Sequence, residues 1–187
     1  LKYYLDLANK FVDMGADSLC IKDMAGLLSP YDASILISEL KKAIKIPLQL
    51  HNHYTSGLAS MTQIKAIESG IDGIDTCIST VSQKTSQPAI EPIIKTFESI
   101  NSSYKTNVNL NLINEIAQKL EDEVNKYLNH AISAKFSPID ANVLSHQIPG
   151  GMISNLTSQL KENNNLEKLN DVLTETPNVR KDLGMPP

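Results

Sequence analysis

The 187-residue chain has only two cysteines, Cys20 and Cys77, too few for a disulfide framework. Both sit in apolar stretches and read as buried thiols of a cytosolic protein. Positive charge is not in excess. Seventeen Lys and Arg against 21 Asp and Glu give a net charge of −4, which argues against a nucleic-acid or anionic-membrane surface as the main business. No apolar run approaches the roughly 18–20 residues that span a bilayer. The start lacks the basic segment and apolar run of a signal peptide. It also lacks an initiator Met and a capping Ser, Thr, Asp or Asn, and the chain stops at the linker-like Met185-Pro186-Pro187. Both ends read as cut, so a fragment of a longer polypeptide is expected. What is present is 41% apolar and 20% charged residues. That is the balance of a folded domain rather than a disordered segment.

Periodicity divides the chain in two. Leu1, Tyr4, Leu5, Ala8, Phe11 and Val12 recur at helical spacing, and Gly15 is a C-terminal stop. Asp17 to Lys22 alternates as a strand. Ser29-Pro30 reads as an N-cap and first helical position, with Asp32 in the first turn. Ala33, Leu36, Ile37, Leu40, Ala43 and Ile44 supply that helix's buried face. A second strand covers Leu48–His53, a third helix Leu58–Ser69 and a third strand Ile71–Ile78. Strands alternating with helices predict parallel pairing and an α/β fold. From Gln87 the pattern becomes helical: Ala89–Ile100 despite Pro92, a stripe from Leu110 to Leu128, a helix after Gly151, and shorter ones near Leu166–Leu173 and Asn178–Leu183. Asn163 to Asn165 reads as a turn.

Strand parity makes the first chemical argument, because side chains two apart share a face. His51 and His53 project together with Gln49, while Leu48 and Leu50 project the other way. Lys22 lies with Cys20 and Ser18, opposite Leu19 and Ile21. The apolar pairs suit packing against helices. The polar sets would face the middle of a closed barrel, and Lys22 and His53 fall at the strand ends where α/β barrels assemble active sites. Two neutral imidazoles on one face can ligate a metal; the alternative is an exposed or core-satisfied pair. Lys22 is either a solvated charge or partner of Asp23 or Asp75, or a functional amine, neutral or carboxylated. His146 reads as a structural hydrogen-bonding residue, and His130 as a favourable charge late in a long helix.

Four blocks carry a resemblance. Gly15-Ala16-Asp17-Ser18-Leu19-Cys20-Ile21-Lys22-Asp23-Met24-Ala25-Gly26-Leu27-Leu28 and Gln49-Leu50-His51-Asn52-His53-Tyr54-Thr55-Ser56-Gly57 are the first two. Thr85-Ser86-Gln87-Pro88 and His146-Gln147-Ile148-Pro149-Gly150-Gly151-Met152 follow in the same order. Together they resemble biotin-dependent carboxyltransferases of the pyruvate carboxylase and oxaloacetate decarboxylase α subunit type. The last block and the Tyr-Thr-Ser-Gly most resemble the decarboxylase.

That resemblance implies a fold and a chemistry. The fold would be a partial TIM (β/α)8 barrel, its last three βα units in residues 1–85, followed by a mostly helical extension over 86–187. A whole barrel typically takes about 250 residues. His51 and His53 would ligate a divalent metal (zinc, manganese or cobalt), with Lys22 carboxylated and ligating through its carbamate. A carboxyl group would pass between oxaloacetate or pyruvate and biotin carried on a separate domain. Partners would be that carrier domain and other subunits of a carboxylase or decarboxylase complex, in a homo-oligomeric parent. The location would be cytoplasmic, peripheral to the membrane where partner subunits are membrane-bound. The family's aspartate ligand, its keto-acid-binding Arg and Gln and its proton-shuttling Thr have no counterpart in these residues. The isolated chain is therefore also expected to be an inactive partial domain or assembly module. A metal-dependent aldol- or Claisen-type lyase on a related barrel is the rival enzyme reading. Lys22, the Thr-Ser-Gln-Pro block and the Pro-Gly-Gly block argue against it.

Overall fold

A computed structural model describes residues 1–99, 104, 106–135 and 139–186, with the backbone alone for 127–135. The order is α1 (Lys2–Asp13), β1 (Leu19–Asp23), α2 (Pro30–Ala43), β2 (Leu48–Asn52), α3 (Ala59–Glu68) and β3 (Gly73–Ile74). Then come α4 (Ile90–Ser99), α5 (Leu110–Lys135), α6 (Val143–His146), α7 (Gly150–Glu162) and α8 (Leu169–Asp182). The three strands form one parallel sheet in the order β1-β2-β3. Among the described residues, no helix is long and apolar enough to cross a membrane.

Parity decides how the sheet is covered. Leu48 and Leu50 are fully buried and pack with Ala33, Ile37 and Leu40 from α2, with Ile44 just beyond its end, and with Ala66 from α3. The opposite face, carrying Cys20, Lys22 and Gln49, is exposed. Ser29 caps α2 as expected: its Oγ accepts the Asp32 N–H at 3.1 Å and donates to the Asp32 carboxylate at 2.6 Å. The face expected for α1 is only half covered. Ala8 is buried and Leu5 and Val12 pack on the core, but Tyr4 and Phe11 stay exposed. They line an open, largely apolar groove of about 810 Å³ beside β1, with Leu19, Leu28 and Met152.

Three expectations need correction. The third strand does not run from 71 to 78. It keeps two residues: the Asp75 N–H still donates to Leu50 O at 2.9 Å, but the Asp75 carbonyl is taken by the Gln63 side chain at 2.7 Å. The chain then pairs with the start of α4, the Cys77 N–H donating to Pro88 O and the Ile90 N–H to Cys77 O. The two short helices after Leu166 are one 3-10 turn (Leu166–Lys168) running into α8, which continues through Pro177. Proline's φ is compatible with a helix, although its missing N–H removes one hydrogen bond and its ring crowds the carbonyl four residues back. The neighbouring Thr176 hydroxyl donates to Val172 O at 2.8 Å. Finally, Cys20 is exposed and Cys77 only half-buried, because Cys20 shares the open polar face. Partial burial, and next the Asp75 charge, push the Cys20 thiol up from its ordinary value. The reading of His130 lies outside the described side chains, and Ile100 outside the described residues.

Asp72 joins the sheet to α2. Its carboxylate accepts from Lys41 Nζ at 2.6 Å and from the Leu48 N–H at 2.7 Å. The Lys41 ammonium first, then that N–H, hold it below the usual carboxylate range. A depressed folded value means the contribution is complete above the unfolded carboxylate pKa and is lost as pH falls through the folded one. Asp72→Asn is expected to cost about 0.5–1 kcal/mol at neutral pH, a small figure because the pair is half in solvent. It should cost nothing in acid below the folded value. Denaturant melts at the two pH values check this.

Candidate active site

The register places Lys22 on β1 directly beside His51 on β2. Both Lys22 and His51 lie on the polar face, and His53 follows at the strand end. Lys22 is exposed and has no ion pair among the described residues. The carboxylates expected to partner it are committed elsewhere. Asp23 accepts the Leu27 and Leu28 N–H groups, both at 2.9 Å. Asp75 accepts from His51 Nδ1 at 2.7 Å and from the Gln49 amide.

The two imidazoles converge. His51 Nε2 and His53 Nε2 are 3.2 Å apart. The opposite nitrogen of each ring has an acceptor that cannot donate: the Asp75 carboxylate for His51, and the Thr85 carbonyl for His53 at 2.6 Å. Both Nδ1 atoms must therefore carry hydrogen. In the neutral rings both Nε2 lone pairs point at one place, the arrangement in which outer partners orient metal-binding histidines. Two facing lone pairs repel unless a cation or donor lies between them, so these residues fit a divalent metal. Among the described residues, no group of three or more His, Cys, Asp or Glu side chains assembles a metal set. A third ligand from the described residues would have to be of another kind.

The scaffold holding this pair is built from residues whose roles were not legible in the sequence. Asn52, between the histidines, points to the helix face and is buried. Its Oδ1 accepts from Gln63 Nε2 at 2.9 Å, and the same Gln63 amide reaches Asp75 O. The turn after β1 grips the other end: the His53 N–H donates to Asp23 O at 3.0 Å, and Ser56 Oγ donates to Gly26 O at 2.5 Å. Gly26 has φ +70, and a Cβ there would lie 2.6 Å from His53 O. Gln83 and Lys84 both adopt positive φ, and the turn they make carries the Thr85 carbonyl to the His53 ring. Strained backbone of this kind concentrates at functional sites. A polar residue on an apolar strand face, Asn52, was the one signal that could have exposed this network.

The fourth block packs onto the same place. A Cβ on Gly150 would meet Thr85 Cγ2 at 2.8 Å, whereas Gly151 faces open space. His146 is buried and structural, its Nδ1 accepting the Ile148 N–H at 3.1 Å, with Asp140 at 3.4 Å from Nε2. Arg180 ties Gln147 to α8 and donates to Pro186 O at 2.9 and 3.0 Å. The turn after β1 and the Thr85–Gln87 stretch thus reach His53, and the fourth block packs behind them on Thr85 and Thr55.

A family model described as HMGL-like matches residues 1–120, and one described as a conserved carboxylase domain matches 143–187. The chain belongs to the biotin-dependent carboxyltransferase family. Among similar carboxyltransferase-family proteins, a pyruvate carboxylase subunit from Methanocaldococcus jannaschii is 48% identical over 188 residues, covering 98% of this chain and 32% of that protein. Its counterpart from Methanothermobacter thermautotrophicus is 42% identical, covering 100% of this chain and 32% of that protein. The carboxyl transferase domain of Rhizobium etli pyruvate carboxylase, solved with pyruvate, superposes with a TM-score of 0.88 at 30% identity. It covers 98% of this chain and 30% of that one. The chain therefore spans about a third of the length of these relatives.

Proposed function

We propose that this chain is the metal-holding part of a carboxyltransferase that moves a carboxyl group between oxaloacetate or pyruvate and biotin. In this reading residues 1–85 supply the last three βα units of a (β/α)8 barrel, and 86–187 its helical extension. Their exposed polar face lines the barrel interior. The observation that carries the reading is the 3.2 Å approach of the His51 and His53 Nε2 atoms with both Nδ1 atoms committed. His51 and His53 would hold a divalent metal (zinc, manganese or cobalt) together with Lys22, carboxylated at Nζ. An ammonium cannot ligate, whereas a carbamate offers anionic oxygens. When bound, such an ion polarises a 2-oxo carbonyl and offsets charge developing on its oxygen, worth several kcal/mol.

The chain's own residues then have definite tasks. Asp75 and the Thr85 carbonyl hold the imidazole protons at Nδ1 and keep Nε2 turned to the site. Gln63 and Asn52 fix the strand that bears them. The turn at Asp23–Gly26 sets the spacing between Lys22 and His53. The 2-oxo acid and the biotin carrier would meet on the open polar face. Other subunits of the parent complex and a second copy of the parent are its partners in this proposal.

The test uses the full-length protein: metal analysis beside biotin-dependent decarboxylation of oxaloacetate. About one equivalent of divalent metal, with turnover that requires biotin and falls on chelation, is the expected result. Metal content with cleavage of a carbon–carbon bond independent of biotin would replace this reading by the aldol- or Claisen-type one. Absence of metal would end it.

A further inference from the structure

Gly150 opens α7 and seats the start of that helix against the support of the histidine site. An added Cβ there would lie 2.8 Å from Thr85 Cγ2 and 3.6 Å from Thr55 Cγ2. The first distance is well inside van der Waals contact, so the bare Cα is a condition of the approach. Thr85 matters because its carbonyl lies 2.6 Å from His53 Nδ1. The turn that carries this carbonyl is closed on itself. The Gln83 N–H donates to Gln87 O and the Ser86 N–H to Gln83 O, both at 2.8 Å. The Tyr54 N–H, next to His53, donates to Ser86 O at 2.8 Å. A β-branched side chain is stiff at χ1. A push on the Thr85 methyl is therefore passed to the turn as a unit, with its carbonyl, rather than taken up by rotation. Gly151 differs: nothing lies within 4 Å of a Cβ added there. Neither glycine has a positive φ, so alanine suits the backbone at both.

From this we infer that Gly150 and Thr85 are positioning residues: the bare first residue of α7, seated against the Thr85 methyl, fixes where the Thr85 carbonyl holds the His53 ring, so that the helical half takes part in setting metal affinity. The inference rests on the metal reading above. Its physical content is displacement. To reach an ordinary carbon–carbon contact of about 3.5 Å, the methyl has to retreat by about 0.7 Å. A carbonyl carried that far from the ring leaves the usual hydrogen-bond range. Losing an outer partner of a metal-binding histidine typically weakens metal binding by about 10- to 100-fold. A partner that is displaced rather than deleted belongs at the lower end of that range.

The experiment measures zinc affinity of the full-length protein. Metal is first stripped, and zinc is then titrated against a fluorescent chelator. Gly150→Ala is expected to bind zinc about tenfold more weakly than wild type. Gly151→Ala, whose Cβ enters open space, is expected to match wild type. Both changes raise helix propensity in the same way, so propensity does not separate them. Thr85→Ser deletes the methyl that the new Cβ would meet and keeps the carbonyl. In that background Gly150→Ala should cost less than about twofold, measured against Thr85→Ser alone. Thermal melts of every variant show that the comparison is between folded proteins. Should Gly150→Ala not fold, the wild type decides by reciprocity: zinc should slow hydrogen exchange at the Met152 and Ile153 amides, which bond to Pro149 O in the first turn of α7. Unchanged exchange there overturns the inference. So does wild-type affinity in Gly150→Ala, an equal loss in the Thr85→Ser background, or an equal loss in Gly151→Ala. If wild type itself binds no zinc, the failure belongs to the functional reading. If wild type binds zinc and Gly150→Ala matches it, only this inference fails.

Discussion

Lys22→Ala in the full-length protein is expected to abolish carboxyl transfer while leaving the fold in place. The side chain is exposed, makes no ion pair among the described residues and packs in no core. Substitutions at such positions usually change stability by no more than about 0.5 kcal/mol. In the proposed site, by contrast, Lys22 contributes an anionic ligand beside His51, its register neighbour. Losing the several kcal/mol of charge stabilisation assigned to the metal centre corresponds to a fall in rate of about a thousandfold or more. Lys22→Arg separates this from a simple need for positive charge. An amine becomes a carbamate by adding carbon dioxide and releasing a proton, whereas a guanidinium stays protonated and does not. The arginine variant should therefore be as inactive as the alanine variant and should lose bound metal with it. Wild-type turnover by Lys22→Arg, with circular dichroism unchanged in both, would dismiss the carbamate and leave Lys22 as a charge.

Gly26→Ala is the second large effect, and it acts through geometry rather than chemistry. At φ +70 an L-residue is strained by about 1 kcal/mol. The added Cβ would also lie 2.6 Å from His53 O and 3.3 Å from Ser56 Oγ. A backbone oxygen in a bonded strand end cannot step aside cheaply, so the total should reach about 3 kcal/mol. The displaced atom belongs to His53, whose N–H is bonded to Asp23 O. Metal content should therefore fall together with stability. Gly15→Ala is the control. It has φ +92 but nothing within 4 Å of the added Cβ, so it carries the backbone strain without the clash. Thermal melting and metal analysis of the two variants check this. Equal behaviour would mean that the Gly26–His53 approach is not what sets the strand end.

The His-x-His pair and the lysine one strand earlier were legible because strand parity is local. A period of two assigns Gln49, His51 and His53 to one face whatever surrounds them. The Ser29 cap and the α2 stripe were legible for the same reason. The third strand was not, because strand length depends on what lies beside it. With Gln63 occupying the Asp75 carbonyl, β3 stops after two residues. The solvent exposure of Cys20 and of the outer half of α1 was equally illegible, since an apolar neighbourhood in sequence does not say what covers a face.

By itself, the sequence determined the alternation of helices and strands, the two faces of each strand and the four blocks that mark the family, because these depend on residue type and short-range spacing. Tertiary structure alone decided that the imidazoles converge at 3.2 Å with their hydrogens committed to Asp75 and Thr85. It also decided that Gln87 reaches both rings. Those partners lie 24 to 36 residues away along the chain. Only parallel pairing and the strained turn before Thr85 bring their polar atoms within bonding distance.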